Sequence, residues 1–239
     1  DLIFPHHENE IAQSECCNGV EYVHYWMHNG YINVDNRKMS KSLNNFFTVR
    51  EVAEKFGYEP IKLMMLQAHY RSPINYTLEV IEQCQASLER LHNCRDRLDF
   101  ALANACQDPT EGEDAFRAQI DARVAQFVEA MDDDLNTADG ISALFEMVRD
   151  INSFLAGTRS RQAVAYAIQK FDELCQVLGL LYNRKKADSL DSEIEELIAQ
   201  RQAARKAKDF AKADAIRDQL TQMGIQLKDT PQGVQWSRR

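Results

Sequence analysis

The sequence predicts a mainly α protein in three parts: an α/β remnant, an antiparallel helical bundle and a small α+β carboxyl-terminal module. Three observations carry this prediction. Between Leu78 and Leu181, apolar residues recur at intervals of three and four in four successive runs, a spacing that keeps one helix face in a core. Ahead of them, Tyr31, Ile32 and Val34 read as a short strand, followed by a basic loop and a helix start. Behind them, two capped helices lead into an alternating tail around Pro231-Gln232-Gly233. The divisions fall at 1–76, 77–185 and 186–239.

The 239 residues are 44% apolar and 27% charged, enough to bury a sizeable core. No apolar run approaches the roughly 18 residues of a membrane span, and no secretory signal opens the chain. A cytoplasmic protein with no membrane partner is therefore expected. The chain starts abruptly on Asp1-Leu2-Ile3-Phe4-Pro5 without an initiator methionine, which reads as a piece of a longer polypeptide. Its six cysteines show no Cys-x-x-Cys spacing and are expected as buried, reduced thiols.

A net charge of −9 argues against general affinity for nucleic acid, but the charge is uneven. Residues 77–185 hold 19 acids against 11 bases, whereas 186–239 hold 9 against 10. Within 201–217, Arg201, Arg205, Lys206, Lys208, Lys212 and Arg217 meet only Asp209 and Asp214. Such a stretch suits selective RNA recognition, or more plainly a solvated helix face.

Element by element, Pro5 precedes a helix expected from His6, with acids near its positive end. Spacing of four puts His6 and Glu10 on one face, and spacing of three lets His7 reach Glu10. An imidazole and a carboxylate so placed form a surface ion pair or two ligands of a zinc site. Tyr25-Trp26-Met27-His28 reads mostly as core, with His28 either structural or directed at a substrate, and Asn29-Gly30 as a turn.

Lys38-Met39-Ser40-Lys41-Ser42 then holds two cations and two hydroxyls between apolar anchors. That composition suits a grip on polyphosphate, and equally a solvated turn. Thr48 caps a helix over Val49–Phe56, Pro60 opens another, and Tyr70–Tyr76 reads as turns. In the bundle, Leu78, Ile81, Leu88, Leu91 and Leu98 mark the first helix, and Phe116, Ile120, Val124, Phe127, Val128 and Met131 the second. The third carries Ile141, Leu144, Phe145, Val148, Ile151 and Leu155, and the last Phe171, Leu174, Val177, Leu178 and Leu181. Asp132-Asp133-Asp134 is read as capping rather than as a cation site. Ser192 and Glu195 form a capping box for a helix to about Ala207, and Asp209 caps the next, which Gly224 ends.

Lys38-Met39-Ser40-Lys41-Ser42 resembles the second signature of the class I aminoacyl-tRNA synthetases. Phe4-Pro5-His6-His7-Glu8-Asn9-Glu10-Ile11-Ala12-Gln13-Ser14 and Tyr25-Trp26-Met27-His28-Asn29-Gly30 resemble the cysteinyl branch of that family. The resemblance runs from Asp1 to the carboxyl end.

It implies that 1–76 is the carboxyl-terminal end of a Rossmann-type catalytic domain with the stem-contact region. Residues 77–185 would be a tRNA-binding bundle, and 186–239 a linker and anticodon-binding module. The implied reaction forms cysteinyl-adenylate from cysteine and ATP with Mg2+, then transfers the cysteinyl group to tRNA(Cys). Lys38 and Lys41 would be catalytic, and Lys38, Met39, Ser40, Lys41 and Ser42 would bind ATP. His6 and Glu10 would bind one Zn2+ together with two cysteines that this sequence lacks. A metal that takes the substrate's own sulfur rejects serine more strongly than an apolar pocket could.

Arg205, Phe210 and Asp229 correspond to anticodon-reading positions, and a monomer is expected. Asn44 stands where the family usually has glycine. The family's first signature, His-x-Gly-His, and most of its nucleotide-binding sheet are absent, so the chain by itself is expected to be inactive. Two other readings are a stand-alone RNA-binding module and a ligase joining cysteine to an amino sugar, against which the long bundle and basic tail argue.

Overall fold

The computed structural model describes residues 2–40, 45, 47–182, 189–206, 209–223, 225–230 and 233–238. The chain is mainly helical with a small sheet. Ile3–His7 makes one wide π-type turn, closed by the His7 N–H donating to the Leu2 carbonyl at 3.0 Å. Helix α1 (Glu8–Asn18) follows. It begins two residues later than the sequence suggests, because Phe4 is extended (φ −131°, ψ 128°) and regular turns form only beyond it. Gly19 closes α1 in the left-handed conformation at φ 69°. None of the residues of α1 is buried.

β1 (Ile32–Val34) is the centre of a three-stranded sheet, antiparallel to β2 (Arg37–Lys38) and parallel to β3 (Ile74–Tyr76). Asp35 and Asn36 join β1 to β2 at φ 48° and 59°. A two-residue hairpin turn with positive φ at both positions favours these two residue types. β3 corrects the expectation of turns over Tyr70–Tyr76. Three residues are too few to show alternation, and the strand exists because β1 supplies its partners. The Ile74 N–H donates to the Tyr31 carbonyl at 2.8 Å, and the Asp35 N–H to the Tyr76 carbonyl at 3.2 Å.

Helix α2 (Val49–Phe56) starts at Thr48 as expected, with a full capping box to Glu51. Pro60 lies in the first turn of α3 (Tyr58–Leu66). The bundle comprises α4 (Leu78–Ala103), α5 (Glu113–Asp132), α6 (Thr137–Phe154) and α7 (Arg161–Leu178), with caps from Thr77, Asn136 and Ser160 on α4, α6 and α7. The short connection between α5 and α6 makes these two neighbours antiparallel.

The helical runs bury their faces as expected, from Ile81 and Leu91 through Ile120 and Leu144 to Phe171. Leu78, Val128 and Val177 depart from the pattern and are exposed. Val128 and Val177 sit one position from Phe127 and Leu178, a rotation of about 100° that carries them off the buried stripe. The core runs without a break from Val34 and Val52 through the bundle to Leu180. Lys62 reinforces this by donating to the Gly179 carbonyl at 2.9 Å, and Glu59 accepts from the Leu181 N–H.

The carboxyl-terminal part has its own small core of Ile194, Ile198, Ile216, Leu220 and Ile225. It consists of α8 (Ser189–Lys206), α9 (Phe210–Gln222) and the hairpin β4 (Ile225–Thr230) with β5 (Gly233–Arg238). Helix α8 starts at Ser189, so Ser192, expected as its cap, lies inside the helix instead of ahead of it. Asp209 caps α9 as expected, accepting from the Lys212 N–H at 3.1 Å. Gly224 lies outside the described residues. Arg201, counted in the basic stretch, is buried rather than solvated.

Cys84, Cys94 and Cys175 are buried and free. Burial pushes the Cys84 thiol up to about 11 and Cys94 to about 12, and it raises Cys175 as well. Cys16 and Cys17, expected buried, are exposed because α1 has no core face. Among the described residues no helix is long and apolar enough to cross a membrane.

Candidate active site

A cleft of about 440 Å³ opens where β1 and β3 enter the sheet, with Trp26, Met27, His28, Gly30, Tyr70 and Arg71 among its walls. Gly30 is more than a turn residue. Its N–H donates to the Tyr70 carbonyl at 2.7 Å, and a Cβ there would lie 2.2 Å from the Ser72 carbonyl oxygen. Only glycine lets the two walls approach so closely.

The basic loop leaves the sheet from β2, where Lys38 pairs with Asn33 of β1 in antiparallel register. Met39 packs against the core and Lys38 is exposed. Asn45 ties the loop's base from both sides: its Oδ1 accepts from the Ser40 N–H at 2.9 Å, and its Nδ2 donates to the Lys38 carbonyl at 3.2 Å. Lys41, Ser42 and Asn44 lie outside the described residues. Sequence reasoning passed over Asn45, since a second asparagine after Asn44 carries no signal of what it bonds.

At the other wall, His7 rather than His6 engages Glu10. His7 Nδ1 lies 2.8 Å from Glu10 Oε2, His7 Nε2 lies 2.8 Å from His28 Nε2, and the Trp26 ring is 4.2 Å from the imidazole. His28 thus links the cleft wall to α1. His6 is exposed. Among the described residues no group of three His, Cys, Asp or Glu side chains converges on a metal position. The exposed His6 and the Glu10 carboxylate, here beside His7, are an imidazole and a carboxylate, two of the donor types that a tetrahedral zinc site takes.

The acidic run read as capping does something else. Asn136 is the cap of α6, accepting from the Asp139 N–H at 3.2 Å. Asp134 instead reaches the sheet side of the molecule. Its Oδ1 accepts from the Tyr70 hydroxyl at 2.8 Å, and its Oδ2 lies 3.1 Å from Arg71 Nη2. The Tyr70 hydrogen bond and the Asp134 charge raise the pKa of Arg71. No spacing rule connects residues 63 apart, so this contact was invisible in the sequence.

In the carboxyl-terminal module, Arg205 is exposed near the end of α8, and Phe210, the first residue of α9, is 63% exposed and so not core. Asp229 lies on β4 opposite Val234, and its side chain is outside the described residues.

Comparison with known proteins places three family models along the chain. Residues 1–86 match the tRNA synthetases class I (C) catalytic domain, 126–182 the DALR domain, and 180–236 the cysteinyl-tRNA ligase anticodon binding domain. A cysteine–tRNA ligase of Caldicellulosiruptor saccharolyticus is 48% identical over 240 residues, covering 100% of this chain and 51% of that protein. One from Clostridioides difficile is 48% identical over 239 residues, with 100% and 51% covered. The chain therefore spans about half the length of the curated relatives it matches. Among solved structures, the ternary complex of Agrobacterium radiobacter K84 LeuRS, tRNA and LeuAMS superposes with a TM-score of 0.57 at 19% identity, covering 73% of this chain and 24% of that one, a likeness of fold.

Proposed function

Because this chain belongs to the cysteinyl-tRNA synthetase family, we propose that it is the carboxyl-terminal half of an enzyme that attaches cysteine to tRNA(Cys) at the expense of ATP. The observation that carries the reading is that cysteine–tRNA ligases 48% identical to it match along the whole of this chain, with a cysteinyl-tRNA ligase anticodon binding domain over 180–236. Residues 1–76 would then be the end of the Rossmann-type catalytic domain with the stem-contact region. Residues 77–185 would be the tRNA-binding bundle and 186–239 the anticodon module, a division that the three matched ranges support.

Activation of cysteine is an in-line displacement at the α-phosphorus of ATP. Positioning and charge stabilisation serve it more than covalent help. Lys38 and Lys41 supply cations for the phosphates and for the departing pyrophosphate, and the Met39 and Asn45 anchors hold the loop's base in place. Ser40 and Ser42 add hydroxyl donors. Mg2+ accompanies ATP. His6 and Glu10 would hold half of a zinc site, with the remaining donors from outside this chain; the metal supplies a soft Lewis acid suited to a thiolate. Arg205, Phe210 and Asp229 would read the anticodon. An amino-sugar ligase has no use for such a module, which the match over 180–236 supports.

The test is cysteine-dependent pyrophosphate exchange by the full-length enzyme carrying Lys41→Ala. Removing one preorganised contact to developing charge should lower kcat and kcat/KM together by about 100-fold, with cysteine affinity nearly unchanged. An unaltered exchange rate would reject the role.

A further inference from the structure

The bundle turn between α5 and α6 reaches into the wall of the cleft, and the contact is built from three groups. The Tyr70 hydroxyl donates to Asp134 Oδ1 at 2.8 Å and accepts from Arg71 Nε at 2.9 Å, while Arg71 Nη2 meets Asp134 Oδ2 at 3.1 Å. His69 Nε2 lies 3.1 Å from the Asp134 carbonyl oxygen. The closed triangle fixes the guanidinium plane, which a lone surface ion pair does not do.

The turn itself is held in an uncommon shape. Asp134 and Leu135 are both left-handed, at φ 55° and 56°, a conformation that neither side chain favours when two occur in a row. The Thr137 hydroxyl pins it to the end of α3 by donating to the Leu66 carbonyl at 2.7 Å. Such a conformation persists where the surroundings impose it, and here it aims a carboxylate at two residues of the cleft wall.

Arg71 is also underused. Its side chain is 66% exposed. Of the five N–H donors of a guanidinium, the triangle takes one on Nε and one on Nη2, and among the described residues no partner takes the Nη1 pair. We propose that Arg71 is an anion-binding residue of the cleft and that Asp134 is the positioning residue by which the bundle aims it. The inference rests on the proposed function, under which the cleft's ligands present oxyanions: the carboxylate of cysteine, the phosphates of ATP and the terminal phosphodiesters of tRNA. The guanidinium fork matches each of these.

The experiment uses the full-length enzyme with Arg71→Ala, Asp134→Ala, the double variant, and Asp133→Ala as a neighbouring exposed control. Pyrophosphate exchange reads KM for ATP and for cysteine, and aminoacylation reads KM for tRNA. Arg71→Ala should raise one of the three by about tenfold, the loss of one charge-assisted contact, and which one rises identifies the anion. Asp134→Ala should raise the same KM. The double variant should be no worse than Arg71→Ala, because Asp134 acts through Arg71. Asp133→Ala should match the wild type, and all Tm values should stay close together. Unchanged KM values for Arg71→Ala, losses that multiply in the double variant, or an effect of Asp134→Ala on Tm alone would each overturn the inference. Absence of exchange in the wild type would instead sink the proposed function, and this inference with it.

Discussion

Glu113 shows how much one side chain can organise. It is 6% exposed, and burial works against its ionisation. The Ser160 and Thr110 hydroxyls donate to it at 2.6 Å each, and the backbone N–H groups of the same residues add bonds at 3.1 and 2.9 Å. Together these outweigh burial and bring its pKa down to about 2. Because the folded value lies below the unfolded one, ionised Glu113 contributes stability that is fully present above about pH 4.5 and is lost as pH falls toward 2. Urea unfolding should show a stability gap between wild type and Glu113→Gln that shrinks by on the order of 2 kcal/mol across that window. A gap independent of pH would mean that the charge adds nothing to the hydrogen bonds.

At the scale of an element, α2 behaves as its sequence dictates. The Thr48 side chain accepts from the Glu51 N–H at 3.2 Å, and Glu51 Oε2 accepts from the Thr48 N–H at 2.6 Å. Thr48→Ala should cost about 1 kcal/mol of stability, and the amides of the first turn of α2 should exchange faster. Unchanged exchange there would show that the packing of Val52, not the cap, holds the helix start. The bundle helices were legible for the same local reason: their apolar spacing and caps lie within a few residues of one another. β3 was not, since a three-residue strand is defined by β1 alone.

Across the whole molecule, one core joins the sheet side to the bundle, and a second, smaller core serves the carboxyl-terminal module. On that module, Arg205 near the end of α8 and Phe210 at the start of α9 are both exposed. In the full-length enzyme, Arg205→Ala should weaken binding of the cognate anticodon arm by about tenfold and lose preference over an arm with a substituted anticodon. Lys212→Ala should weaken both arms alike and flatten the salt dependence. Equal losses for both arms with Arg205→Ala would leave electrostatic docking in place of anticodon reading.

The helices of the bundle, the Thr48 and Asp209 caps and the terminal hairpin were all determined by the sequence, because each depends on residues close along the chain. The tertiary structure decided the rest. It paired Glu10 with His7 and His7 with His28, set Gly30 against Ser72, buried Arg201, and sent Asp134 across to Tyr70 and Arg71 instead of capping a helix. Each of these joins groups that periodicity cannot distinguish or that lie far apart in the chain, and packing chooses between them only once the elements have come together.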